Sequence, residues 1–355
     1  MSKQELLTHG GDWAGYQAEY GRPLLDFSAN ISPLGTPPGV VEAVAAAAKE
    51  ADRYPDPLCR ELCAALAARE KAPASWVLCG NGAADLIFRV VLACRPRRAL
   101  LAVPGFAEYP NALALAGCAV RQYALSPARD FRLGEDFLDE ITPEIDLVFL
   151  CEPHNPTGLT NSVAFLRCVQ SRCAKAGALL VVDACFEDFV AAPQTSLFQA
   201  ELGLHPNVVI LKAFTKFYGM AGVRLGYALT GNQTLLEHMR AAGQPWAVSS
   251  LAQAAGLAAL QETAYCHQVR EIVRTQRPWM GRKLRDLGCR VVPGEANYLL
   301  FQHPTPLLAP LKERGILLRG CGNYTGLDES WYRTAVRRHE ENEQLLAAIK
   351  EIVTG

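Results

Sequence analysis

The sequence has no uninterrupted apolar run near the ~20 residues that a membrane-spanning helix needs. Its opening stretch, MSKQELLTHGGDW, has no apolar core of the signal-peptide kind. Together these two absences predict a cytoplasmic protein. No charge sign dominates: 35 Lys and Arg stand against 36 Asp and Glu. A chain this close to neutral offers no general attraction to nucleic acid or to an anionic membrane. There is no internal repeat and no low-complexity segment, which argues against a solenoid or a disordered linker. No CxxC occurs and no Cys/His spacing fits a zinc site, so no metal is expected. Cysteine itself is plentiful, with twelve copies, mostly in apolar runs such as WVLCG, VLACR and VFLCE. In a cytosolic chain they read as small buried reduced thiols and not as a disulfide framework. At ~150 residues per domain, 355 residues suggest two domains, or one large domain with a smaller partner.

Short apolar runs alternate with longer helical patterns. The runs at Trp76–Cys79, Ala99–Val103, Leu147–Cys151, Ala178–Val182, Val208–Leu211 and Leu225–Leu229 read as strands. They are apolar at nearly every position, as expected for strands covered on both faces. Helical patterns over Ala83–Ala93, Tyr109–Ala116 and Ser162–Ala176 separate several of them, which predicts an α/β unit with a mostly parallel sheet. After about residue 235 comes a long helical region, roughly 232–286. Short strands follow at Arg290–Val292, Asn297–Phe301, Ile316–Arg319 and Trp331–Val336, with a helix near Leu307–Arg314 and another at the C-terminus. The expected division is an irregular Gly- and Pro-rich arm over 1–35, a large α/β domain over 36–235 and a small α+β domain over 236–355.

Four features carry the chemistry, and their order matters. Gly80-Asn81-Gly82-Ala83 follows a strand and opens a helix, so free backbone N–H groups there can bind an anion. A plain strand-to-helix turn explains the same residues. A dinucleotide fingerprint fits poorly, because Asp85 holds its third glycine position. Asn155-Pro156-Thr157-Gly158 follows the strand ending at Cys151; alone, it is also a turn. Asp183 ends the run ALLVVD, at the end of a buried parallel strand where α/β sheets bind ligands. Lys216 stands among Phe214, Phe217 and Tyr218, with Arg224 eight residues on. Desolvation there would lower the lysine's pKa and make its amine nucleophilic, although a lone lysine so placed is ordinarily a snorkelling side chain.

Over nearly the whole chain the series resembles the fold-type I pyridoxal-phosphate enzymes, the aspartate aminotransferase superfamily. The resemblance implies a mostly parallel seven-stranded sheet and pyridoxal 5'-phosphate as cofactor. It makes Lys216 the Schiff-base lysine and pairs Asp183 with the pyridinium nitrogen. Asn155 is implied to bond the ring's 3'-oxygen, and Gly82, Ala83, Thr215 and Arg224 to hold the phosphate. Tyr109 is implied to stack on the ring, with Phe106 as the fallback. Tyr54, in DRYPDP, is implied to reach a neighbouring subunit's phosphate, hence a homodimer with shared sites. Two departures stand out: Phe186 occupies a place where many relatives have tyrosine, and Ala213 one where they have Ser or Thr.

The ends of the chain narrow the resemblance. HGGD at 9–12, DFSANISPLG at 26–35, PGFAEY, ANYLLF, NYTGLD and YRTAVR resemble the family of L-threonine O-3-phosphate decarboxylases of cobalamin biosynthesis. Histidinol-phosphate aminotransferases are its close cousins. The implied substrate is a small phosphorylated amino acid carrying a carboxylate and a phosphate, both suited to arginine. Arg319 and Arg333 are the implied cations, Asn155 also faces the substrate, and His9, Asn30 and Ser32 close over it. Arg337 has Arg338 and His339 beside it and reads better as part of a solvated basic stretch. The alternatives are an aminotransferase for histidinol phosphate, a decarboxylase of L-serine O-phosphate, and a non-catalytic cofactor-binding module.

Overall fold

The structure is a computed structural model, and it describes residues 9–191 and 201–355. The first eight residues of the expected arm lie outside the described residues. Among the described residues the strands are β1 (Leu25–Asp26), β2 (Val77–Gly80), β3 (Arg98–Val103), β4 (Ala119–Ala124), β5 (Leu147–Cys151), β6 (Leu179–Asp183) and β7 (Val208–Ala213). Then come β8 (Gly226–Leu229), β9 (Arg290–Val291), β10 (Tyr298–Gln302), β11 (Ile316–Leu317), β12 (Arg319–Gly320) and β13 (Trp331–Ala335).

The large sheet has seven strands in the order β2-β8-β7-β6-β5-β3-β4. Strands β7, β6, β5, β3 and β4 run parallel, whereas β8 is antiparallel to both neighbours. Every residue of β5, β7 and β8 is buried, which is why these strands read as apolar runs, broken only by Lys212 of β7, whose ammonium pairs with Glu70 and Glu187. One apolar cluster fills each face of this sheet. Strand β4 was not among the expected runs. It is an edge strand with Tyr123 as its one buried residue, so Ala119–Ala124 never forms an apolar run.

The C-terminal part is a four-stranded antiparallel sheet, β12-β13-β10-β9, covered by the helices Thr263–Asp286 and His339–Thr354. The single strand expected over Ile316–Arg319 is divided. Ile316 and Leu317 pair in parallel with Leu25 and Asp26, while Arg319 and Gly320 pair with β13. The arm is therefore less irregular than its composition suggests. It carries a helix at Trp13–Tyr20, and β1 seats Phe27 in the apolar cluster of the small sheet. The long helical region resolves into Gln233–Ala241, Ser250–Ala259 and Thr263–Asp286. Ser250–Ala259 packs on Pro38–Ala47, so this stretch contacts the large part of the molecule although it follows residue 235.

Candidate active site

The C-terminal ends of β5, β6 and β7 open into a cavity of about 360 Å³, within the usual size of a small-molecule site. His9, Asn30, Ala83, Asn155, Asp183, Thr215, Lys216, Arg224, Arg319 and Arg333 all line it. Ten residues separated by up to 324 positions of sequence thus share one cavity.

Asp183 ends β6 opposite Cys151 and Leu211. Its carboxylate accepts hydrogen bonds from the Cys185 backbone N–H (3.1 Å) and from the Tyr109 hydroxyl (2.6 Å). Asn155 sits in a pinned loop. The Gly158 N–H donates to the His154 carbonyl, which also accepts from the Tyr298 hydroxyl. His154 bonds Thr157 Oγ1 through its ring, and burial pushes its pKa down to about 4, so the ring is neutral. Asn155 Oδ1 accepts from Arg333 at 2.6 Å, which orients the amide and leaves Nδ2 as its donor for a ligand.

Lys216 lies on the one-turn helix Phe214–Phe217 directly after β7. Burial and the nearby positive charges of Arg333 and Arg224 lower its pKa to about 8. Gly82 begins the helix Gly82–Cys94 with φ +77°. A Cβ at Gly82 would stand 2.5 Å from the Arg224 guanidinium, so the missing side chain is what lets the arginine lie against the helix start. Backbone N–H groups, a helix N-terminus and a guanidinium together make an anion cradle.

On the opposite wall, Arg333 is buried and donates to Asn155, to the Tyr324 hydroxyl (3.3 Å) and to the Ser28 carbonyl (3.3 Å). Its Nε has no hydrogen-bond partner among the described residues. The guanidinium of Arg319 lies over the Tyr324 ring, 5.4 Å from its centre, and donates to Asn323. Asn30 is 1 % exposed, and neither polar atom of its side chain has a hydrogen-bond partner among the described residues. Buried polar groups are ordinarily satisfied, so these orphans mark places for a ligand.

Four of the expected site residues stand elsewhere. Ser32 does not line the cavity: its hydroxyl accepts from Tyr265 (2.6 Å) and its N–H donates to the Lys216 carbonyl (2.8 Å), so it braces the lysine's turn. Tyr109 is turned under the site, stacked on Phe149 with ring centres 4.6 Å apart, its hydroxyl spent on Asp183. Phe106, just before that helix, lines the cavity in its place. Gly82 acts behind the wall through Arg224. Tyr54 is 80 % exposed, stacks on Trp246, and is absent from this chain's own cavity. Phe186 and Ala213 both line the cavity, so the two departures fall inside the site. The Tyr298 hydroxyl, near Phe186, is committed to His154 and does not replace the missing one.

Sequence reasoning missed Ser28, Glu108 and Tyr324, which also line the cavity. Glu108 bonds His9 at 2.6 Å, linking the arm to the helix Glu108–Leu115. Each lies in a stretch the motifs already cover, but nothing in one dimension shows that Tyr324 stands between two arginines. The whole set fits pyridoxal phosphate: a nucleophilic amine, a buried carboxylate at a strand end, an amide donor and an anion cradle.

Comparison with known proteins bears on the same set. The family described as aminotransferase class I and II matches residues 22–349. Threonine-phosphate decarboxylase of Salmonella typhimurium is 40% identical over 336 residues, 94% of this chain and 92% of that protein. Histidinol-phosphate aminotransferase of Symbiobacterium thermophilum is 34% identical over 342 residues, with 94% and 92% covered. Among solved structures, histidinol-phosphate aminotransferase from Clostridium acetobutylicum superposes with a TM-score of 0.86 at 27% identity, over 93% of this chain and 99% of that one. The Sinorhizobium meliloti aminotransferase in complex with pyridoxal-5'-phosphate shares the fold, with a TM-score of 0.83 at 23% identity over 100% and 97%.

Proposed function

The chain belongs to the aminotransferase class I and II family, and from that premise we propose that it is a pyridoxal-phosphate enzyme that decarboxylates L-threonine O-3-phosphate. The product is (R)-1-amino-2-propanol O-2-phosphate, the linker used in cobalamin assembly. The observation that carries this reading is the pair of separate cation groups in one cavity. Arg224 and the Gly82 helix start serve the cofactor's phosphate, while Arg319 and Arg333 on the small sheet remain for a substrate with two anionic ends.

When bound, pyridoxal phosphate supplies an aldehyde for an amine and a ring that accepts electrons from the substrate's Cα. Lys216 supplies the anchoring amine, and its lowered pKa keeps a large neutral fraction near pH 8. Asp183 holds a proton at the ring nitrogen, and Tyr109 holds Asp183. Asn155 donates to the 3'-oxygen. Ala83, Thr215 and Arg224 would hold the phosphate, with Gly82 making room for the arginine behind them, and Phe106 would meet the ring. Arg333 and Arg319 bind the substrate's carboxylate and phosphate, with Asn30 and His9 closing from the arm. By fixing the substrate's two anionic ends, the arginines would decide which bond at its Cα is presented for cleavage. Lys216, with its lowered pKa, would be the group placed to deliver a proton to the substrate's Cα.

The 34% likeness to an aminotransferase favours a second reading, transamination of histidinol phosphate. One experiment separates the two. With L-threonine O-3-phosphate and no keto acid, CO2 and the phosphorylated amine should appear, faster than from L-serine O-phosphate. Absence of CO2, with keto-acid-dependent consumption of histidinol phosphate, would replace the first reading by the second.

A further inference from the structure

Three of the twelve cysteines lie together behind the anion cradle. Cys59 and Cys63 belong to the start of the helix Arg60–Glu70, and Cys79 lies on β2. All three are buried. The Cys63 and Cys79 sulfurs are 3.7 Å apart, and helix and strand pack directly on each other. Closing a disulfide to ~2.05 Å asks each sulfur to move by less than about 1 Å.

We propose that Cys63 and Cys79 are a peroxide-oxidisable thiol pair, and that their cross-link loosens the phosphate cradle. The second half rests on the cofactor reading given above. Cys63 is the attacking sulfur. It occupies the first turns of a helix, where the backbone field favours a thiolate. Its hydrogen bond with Cys79 holds it below the ordinary thiol range, whereas the Cys59 and Cys63 thiols push Cys79 well above. The Cys63 thiolate attacks one oxygen of hydrogen peroxide. The O–O bond breaks, the leaving hydroxide takes up the proton that Cys63 released and becomes water, and a sulfenic acid remains. The Cys79 sulfur displaces that hydroxyl, which departs as water with the Cys79 proton. Two thiols lose two electrons, and one peroxide becomes two waters.

The link to the cradle is short. Cys79 pairs with Tyr227 and Gly80 with Gly226, and Gly82 follows two residues later. Gly226 lies so close to the turn that a Cβ there would be 2.7 Å from the Ala83 nitrogen. With no slack between β2, β8 and the turn, a pull on Cys79 is passed to Ala83.

The test uses full-length cofactor-loaded protein carrying Cys168→Ser, because Cys168 is exposed and would react on its own. After hydrogen peroxide, the intact mass should fall by two hydrogens. A thiol titration of the unfolded chain should fall by two, and dithiothreitol should restore both. Trypsin cuts after Arg60 and so separates Cys59 from Cys63; the linked peptides should contain Cys63 and Cys79. Cys59→Ser should keep the link, and Cys63→Ser or Cys79→Ser should lose it. A link through Cys59, or no link after peroxide is consumed, overturns the pair. The oxidised protein should lose its visible cofactor band several-fold faster on dialysis; an unchanged rate overturns the coupling. If reduced protein never holds the cofactor, the functional reading fails, while the mass shift still decides on the pair.

Discussion

Lys216 shows how a residue's surroundings set its chemistry. A free lysine is almost wholly protonated at neutral pH; here burial, Arg333 and Arg224 bring the amine to about 8. The neutral, nucleophilic fraction grows as pH rises through that value. Attachment of pyridoxal phosphate to cofactor-free protein should therefore accelerate up to pH ~8 and then level off, when followed by stopped-flow absorbance. Arg333→Gln removes one positive neighbour, so the midpoint should move up. Lys216→Ala should abolish the visible band altogether. Tyr109 gives a second residue-scale outcome. Tyr109→Phe keeps the stack on Phe149 but removes a donor to a buried carboxylate. Hydrogen bonds to charged groups contribute about 1.5–3 kcal/mol, so the denaturation midpoint should fall accordingly. These two residues also mark what was legible. Lys216 and Asp183 are named by their places at strand ends, which sequence shows. Tyr109 and Ser32 are three-dimensional choices: whether a side chain faces the cavity or props it depends on partners 74 and 233 residues away.

Elements were legible where burial wrote them into composition. Strands buried on both faces announce themselves as apolar runs. Strand β4 does not, because as an edge strand it buries only Tyr123, and β11 and β12 split a single apolar stretch because two different partners compete for it. The helix start at Gly82 was legible as punctuation, but its tie to Arg224 was not. That tie makes a sharp prediction. Gly82→Ala meets the guanidinium at 2.5 Å, whereas Gly117→Ala, also at positive φ (+67°), meets nothing within 4 Å. Both substitutions carry backbone strain of about 1 kcal/mol. Only Gly82→Ala should weaken pyridoxal-phosphate binding, at least tenfold in a spectroscopic titration, while the two proteins melt within a few degrees of each other. Equal affinities would show that the glycine serves the turn alone.

The whole molecule brings its two layers together at one cleft. The large sheet contributes Asp183, Asn155 and Lys216; the small sheet contributes Arg319 and Arg333; and the arm crosses between them, paired to β11 at β1, bonded to β13 through the Phe27 carbonyl, and bonded through Ser32 to the lysine's turn. Binding at the cleft thus engages both layers at once. Tyr54 stands away from the cleft altogether, stacked on Trp246 with both rings open to solvent. Such an exposed pair suits burial against a second copy, where two-fold symmetry would place each Tyr54 at its neighbour's site. Hybrid dimers decide this. Lys216→Ala lacks the anchoring amine, and Tyr54→Phe lacks the hydroxyl that would serve the neighbour. If Tyr54 acts across the interface, a hybrid of the two variants has one doubly damaged site and one intact site. Unfolding and refolding the two together in equal amounts should then yield half hybrids, and so about a quarter of wild-type activity per subunit. If Tyr54 acts within its own subunit, every site in the hybrid carries a defect, and mixing gains nothing over the average of the separate variants.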